Sequence, residues 1–112
     1  MTRVTLTVEG DRLSLRLEGH AGYAEVGRDI VCASASILAF TVAQLLLEMD
    51  ANGRLYESPT VNLSEGDALI EAEHNEETVR IMHFAETGYA LLQNEYPEHI
   101  KFVTVYKPTG SI

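Results

Sequence analysis

The chain of 112 residues contains one cysteine, Cys32, no tryptophan and three prolines. A single thiol excludes an internal disulfide, and zinc ribbons, CxxC redox pairs and iron–sulfur centres all need more thiols than one. Basic side chains are also scarce: eight Lys and Arg stand against 17 Asp and Glu, giving a net charge of −9, and they form no run. Duplex nucleic-acid binding needs clustered positive charge to displace counterions, so no direct nucleic-acid partner is expected; a basic protein or peptide fits better. The aromatics, five Tyr and three Phe, are too few and scattered for a base-stacking platform. Met1 to Val8 alternate apolar and polar residues in place of a signal peptide's apolar core, which implies a cytoplasmic protein. The one charge-free stretch of near-bilayer length, Ile30 to Leu47, carries Ser34, Ser36, Thr41 and Gln44 and is flanked by Asp29 and Glu48. It reads as a buried helix of a soluble protein, with no membrane partner. A chain of this size makes one domain, residues 1–112, and buries enough surface to dispense with a structural metal.

What is present is strong patterning. Val4, Leu6 and Val8 alternate with polar residues, Gly10-Asp11 interrupts, and Leu13, Leu15 and Leu17 resume the period of two, which predicts a β-hairpin with one buried face. Gly19 to Arg28, with three glycines, reads as a mobile loop. Asp29 is a helix N-cap, and the helix it starts at Ile30 runs to about Met49, before Asn52-Gly53. Along it Cys32, Ala35, Ser36, Ala39 and Ala43 form a small-residue ridge, with Ile37, Leu38, Leu45 and Leu46 opposite, so the helix is central or lies at a subunit interface. Leu55 to Leu63 reads as a strand placed at an edge or bulged by Pro59, and Ala68 to Glu73 as the next strand. Asn75-Glu76-Glu77 opens a second helix, which reaches about Tyr96 with Val79, Met82, Tyr89 and Leu92, joined by Ile81, Phe84 and Leu91, as core. Ile100 to Tyr106 is a last strand. The order ββαββαβ predicts an α+β fold, a mixed or antiparallel sheet with two helices on one face.

The chemistry centres on His20, in the glycine-rich loop, and Cys32, twelve positions later in the first turn of a helix. Amide N–H groups and the positive end of the helix dipole favour a thiolate there, a neighbouring imidazole adds to this, and free first-turn amides are candidate donors to an oxyanion. That is a layout for acyl transfer. Asp29 either caps the helix or orients His20, and Ser36, one turn beyond Cys32, either hydrogen-bonds at the site floor or permits close packing. The bland alternative makes Cys32 a small buried hydrophobe. The loop fits neither a GxGxxG fingerprint nor a Walker loop, so no phosphate-bearing cofactor is expected. His74, His83 and His99 lack metal-ligand spacing and receive no role, and no metal is assigned.

Gly19-His20-Ala21, then Gly27-Arg28-Asp29-Ile30-Val31-Cys32-Ala33 and Ser36, resemble the ribosomal-processing cysteine protease family, Prp, with its GHA element and its G-x-D-I-V-C-A element followed by serine. Outside residues 19 to 38 the likeness is one of pattern, and Ser34 and Ala35 stand where the family commonly has alanine and valine. The resemblance implies a bacterial cytoplasmic endopeptidase, a homodimer, that removes the short N-terminal extension of a large-subunit ribosomal protein after an aromatic residue. It implies Cys32 as nucleophile and His20 as general base, with Asp29 and Ser36 supporting. The glycines Gly19, Gly22 and Gly27 then let the loop open and close over substrate. Two other readings stand beside this one: a non-catalytic ribosome-associated or assembly module, and a thiol hydrolase acting on another acyl substrate.

Overall fold

The computed structural model describes residues 1–25 and 28–108, and Gly27 therefore lies outside the described residues. Alternation makes β1 (Thr2–Glu9) and β2 (Arg12–Glu18) a hairpin whose register places Val4 opposite Leu17 and Leu6 opposite Leu15. These side chains share one face, and β4 (Asp67–Glu73) adds Ala68, Ile70 and Ala72 to it, with Ile70 opposite Leu15. All are buried, and each fully buried Leu or Ile contributes roughly 1.5–3 kcal/mol. The five-stranded sheet has the order β3-β4-β2-β1-β5, with β3 (Thr60–Ser64) on one edge and β5 (Ile100–Lys107) on the other. β5 runs parallel to β1 and every other pair is antiparallel, so the sheet is mixed and the element order is ββαββαβ, as predicted.

Two helices cover the core face: α1 (Ile30–Ala51) and α2 (Glu76–Glu95). α1 buries the ridge of Ala35, Ala39 and Ala43 together with Val31, Val42 and Leu46. Small residues bring the helices close: a Cβ on Gly88 of α2 would lie 2.7 Å from Leu38 Cδ1. Below the first turns of α1, the buried Tyr89 hydroxyl donates to the Ala35 carbonyl at 2.9 Å, and burial raises the phenol pKa, so it remains a donor.

Two expectations are corrected. The expected strand does not begin at Leu55, and residues 55–59 are not strand: Glu73 Oε1 accepts from the amides of Tyr56, at 2.5 Å, and Glu57, at 3.0 Å, which diverts those groups from a ladder until β3 starts after Pro59. On α2 the buried positions are Thr78, Met82, Ala85 and Tyr89. Phe84 and Leu91 stand two residues past core positions, hence about 200° around the helix, and face outward together with Val79. Ile37 and Leu45 of α1 are also exposed, on the side of the helix that the sheet and α2 leave uncovered.

Candidate active site

The loop that leaves β2 begins with a sharp reversal. Gly19 has φ +84°, its amide donates to the Gly66 carbonyl at 2.8 Å, and a Cβ there would lie 2.6 Å from the Met1 carbonyl oxygen, so no other residue fits. This tether follows from the pairing of Glu18 with Asp67, which brings the β3–β4 turn against the start of the loop. Gly66, at φ +73°, supplies the seat for His20: a Cβ on it would stand 3.0 Å from His20 Nε2. Nothing in the local sequence pointed to Gly66, since it meets His20 only through the sheet. Gly22 also has positive φ, +71°, in open space.

Asp29 caps α1. Its Oδ1 accepts from the amides of Val31 at 3.0 Å and Cys32 at 2.9 Å, while Oδ2 reaches back to the amides of Tyr23 at 2.9 Å and Ala24 at 3.4 Å. One buried carboxylate thus joins the helix start to the loop. Burial works to raise its pKa, but the amides of Cys32, Tyr23, Ala24 and Val31 together outweigh this and hold it below the ordinary value of 3.8. Both oxygens are occupied by backbone, so capping is the geometry adopted, and among the described residues no hydrogen bond joins Asp29 to His20. The same bonds correct the expectation of free first-turn amides as oxyanion donors: Val31 and Cys32 are held by the carboxylate, and Ala33 donates to the Asp29 carbonyl at 3.0 Å.

Cys32 is half-buried at the end of this constellation, and the Ala21 amide donates to its Sγ at 3.3 Å. His20, Cys32 and Ser36 all line one cavity of about 630 Å³, completed by Phe40 of α1 and Leu63 and Gly66 of the β3–β4 hairpin. The imidazole is exposed on the loop side and the thiol lies on the helix side, with no direct hydrogen bond between them among the described residues. The walls are largely apolar and the space is open to solvent, which suits an extended peptide segment better than a small polar metabolite.

The family model described as Cysteine protease Prp matches residues 1–101. The ribosomal processing cysteine protease Prp of Staphylococcus aureus is 26% identical over 102 residues, covering 88% of this chain and 92% of that protein. The crystal structure of the essential ribosomal processing protease Prp from S. aureus with a covalently linked product peptide superposes with a TM-score of 0.74 at 29% identity, covering 96% of this chain and 100% of that one. The same enzyme with a substrate peptide gives 0.71 at 28% identity, with the same coverage. A structure of SMU.848 from Streptococcus mutans, 22% identical with a TM-score of 0.67, shares the fold over 96% of each chain.

Proposed function

The chain belongs to the cysteine protease Prp family and is a cysteine protease, and from that premise we propose that Cys32 is its nucleophile and His20 its general base. The carrying observation is that the two side chains line one cavity while the Ala21 amide donates to the sulfur. His20 takes the thiol proton as Sγ attacks the scissile carbonyl carbon. The tetrahedral intermediate expels the amine, which leaves with the proton from His20. Water, deprotonated by the same imidazole, then attacks the thioester, releasing the acid and restoring the thiol. Asp29 supports the site by fixing the helix start against the loop, and Ser36 lies on the cavity wall one turn beyond Cys32. The glycines of the loop, Gly19, Gly22 and Gly27, allow it to shift as substrate enters.

The substrate we propose is a bacterial large-subunit ribosomal protein bearing a short N-terminal extension, cleaved in the cytoplasm after an aromatic residue. The S. aureus relatives solved with substrate peptide and with covalently linked product peptide support a covalent peptidase route. The net charge of −9 favours capture of a basic protein, so cleavage weakens as salt rises, and a salt-insensitive kcat/KM sinks that part. A homodimer is proposed through the outward face of α1, where Ile30, Ile37 and Leu47 are exposed at helical spacing. Membership in a protease family sets aside the non-catalytic module. A hydrolase for another acyl substrate remains distinguishable by experiment.

That experiment has two arms. Iodoacetamide alkylation of the single cysteine is measured across pH in the wild type and His20→Ala, and cleavage of extension peptides is measured in the wild type, His20→Ala and Cys32→Ala. The expected result is a thiol titrating below the ~8.5 of a free cysteine, moving upward without His20, together with loss of cleavage by at least about 10³-fold in Cys32→Ala. A thiol of ordinary reactivity and cleavage that survives Cys32→Ala would overturn the assignment. A reactive thiol with no cleavage of the extension points to the other acyl substrate.

A further inference from the structure

We propose that His99, which has no role in the site described above, is a positioning residue for the nucleophile and acts through Ala21. The inference rests on the reading of Cys32 as nucleophile. His99 occupies the turn between α2 and β5, where its own backbone is fixed: its amide donates to the Tyr96 carbonyl at 3.0 Å and its carbonyl accepts from the Thr2 amide at 3.0 Å. Its ring reaches across to the catalytic loop, with Nδ1 3.1 Å from the Ala21 carbonyl oxygen. A carbonyl oxygen only accepts, so Nδ1 carries the hydrogen.

The loop docks on this turn at a second point. The Tyr23 ring meets the His99 ring edge to face, centroids 5.3 Å apart, and the Tyr96 ring in the same manner at 5.5 Å. Between the two contacts lies Ala21, its methyl buried, with its carbonyl held by His99 and its amide donating to Cys32 Sγ at 3.3 Å. The two peptide planes that meet at Ala21 are therefore each anchored, one to the β5 turn and one to the sulfur. Release of the carbonyl removes one of the two ties at Ala21, so the loop, and with it the amide that faces sulfur, is held less firmly in place. Sulfur is a weak acceptor with broad geometry, so this hydrogen bond depends on the loop being held in place. His99 is not among the residues that line the cavity, so it acts on the sulfur at one remove and does not touch substrate.

The test compares His99→Phe, which keeps a ring of similar size and removes the donor, with His99→Asn, whose amide N–H lies near the place of Nδ1–H. Since Cys32 is the only cysteine, iodoacetamide uptake against pH reports this thiol alone. The expected result for His99→Phe is an upward shift of the alkylation midpoint by about one unit, hence roughly tenfold slower alkylation at neutral pH, with kcat for an extension peptide falling more than KM rises. His99→Asn restores most of both. A folded His99→Phe protein that loses melting temperature yet keeps the wild-type alkylation profile would make His99 structural and overturn the proposal. Should His99→Phe fail to fold, the tautomer in the wild type decides: nitrogen NMR is expected to find the hydrogen on Nδ1, and a neutral ring protonated on Nε2 alone overturns it. An unactivated thiol in the wild type itself would overturn the nucleophile reading and this inference together, whereas an activated wild type insensitive to His99→Phe overturns this inference alone.

Discussion

The two helices of this protein start in nearly the same way and end up with different jobs. Asn75 caps α2 by accepting from the amides of Glu77 and Thr78 at 2.9 Å each, and Thr78 returns the favour by accepting from the Asn75 amide at 2.9 Å. Asp29 caps α1 with one oxygen in the same geometry. The differences lie in what surrounds each cap. The first turn of α2 carries Glu76 and Glu77, which answer the helix dipole with charge, and Glu77 pairs with Arg54. The first turn of α1 carries no acid and places Cys32 there, while the second oxygen of Asp29 is spent on the loop that bears His20. α2 answers its dipole with acids inside the helix, whereas α1 leaves that task to its cap, whose carboxylate also ropes the helix start to the loop.

The largest expected effect tests that contrast directly. Asn75→Ala and Asp29→Ala each lose a cap worth about 1 kcal/mol, to be read from denaturant midpoints. Only Asp29→Ala also frees the loop at Tyr23 and Ala24, and a displacement of about 1 Å at a catalytic group costs on the order of 100-fold in rate, so kcat/KM separates the two variants where stability does not. pH sharpens the difference. Because the folded Asp29 carboxyl has a lowered pKa, its contribution to stability is whole above the ordinary carboxylate value and is lost as acidity carries it through the folded pKa, below about pH 4. Melting temperature in Asp29→Asn should therefore show a shallower acid limb than in the wild type, while Asn75→Ala, which removes no charge, keeps the wild-type slope. Equal activity in Asp29→Ala and Asn75→Ala would erase the distinction.

Next in size is Gly66→Ala, which acts on the seat of His20 from across the sheet. The substitution meets two obstacles, φ of +73° and His20 Nε2 at 3.0 Å from the new methyl. The backbone strain costs about 1 kcal/mol, and displacement of the imidazole is expected to lower kcat/KM by about tenfold or more. The measurement is kcat/KM beside the melting temperature. A drop in stability with unchanged turnover would show that His20 does not depend on this seat.

These residues mark the limit of what could be read from the chain alone. Asp29, Cys32 and the start of α2 were legible because caps, dipoles and first-turn positions are local. That His20 and Cys32 come to one cavity was legible from two short motifs a fixed distance apart. Gly66 and His99 were not, because each meets the loop only through long-range structure: Gly66 by the β2–β4 register and His99 across 78 positions of chain. The false start of β3 has the same origin, since the residues before Pro59 pattern as strand until the Glu73 carboxylate, from a neighbouring strand, claims the Tyr56 and Glu57 amides. Outward Phe84 and Leu91 were misread for a related reason: an apolar side chain in a helix declares a preference for burial, but which 100° of the helix is covered depends on where the sheet and α1 lie.

The smallest effect comes from making the start of α1 resemble that of α2. Ala33 is exposed in the first turn of α1, beside Cys32, and Ala33→Glu places there the kind of carboxylate that Glu76 and Glu77 supply to α2. Near a helix N-terminus such a charge stabilises by about 0.3–1 kcal/mol, so the melting temperature should rise slightly or hold. The same charge opposes ionisation of the neighbouring thiol, and alkylation of Cys32 at neutral pH should slow by a few-fold, most visibly at low salt where screening is weakest. Stability and reactivity would then move in opposite directions from one substitution, which is the behaviour expected if the absence of acid from this turn serves the cysteine. If both stayed level, the absence of acid from the first turn of α1 would be an accident of sequence.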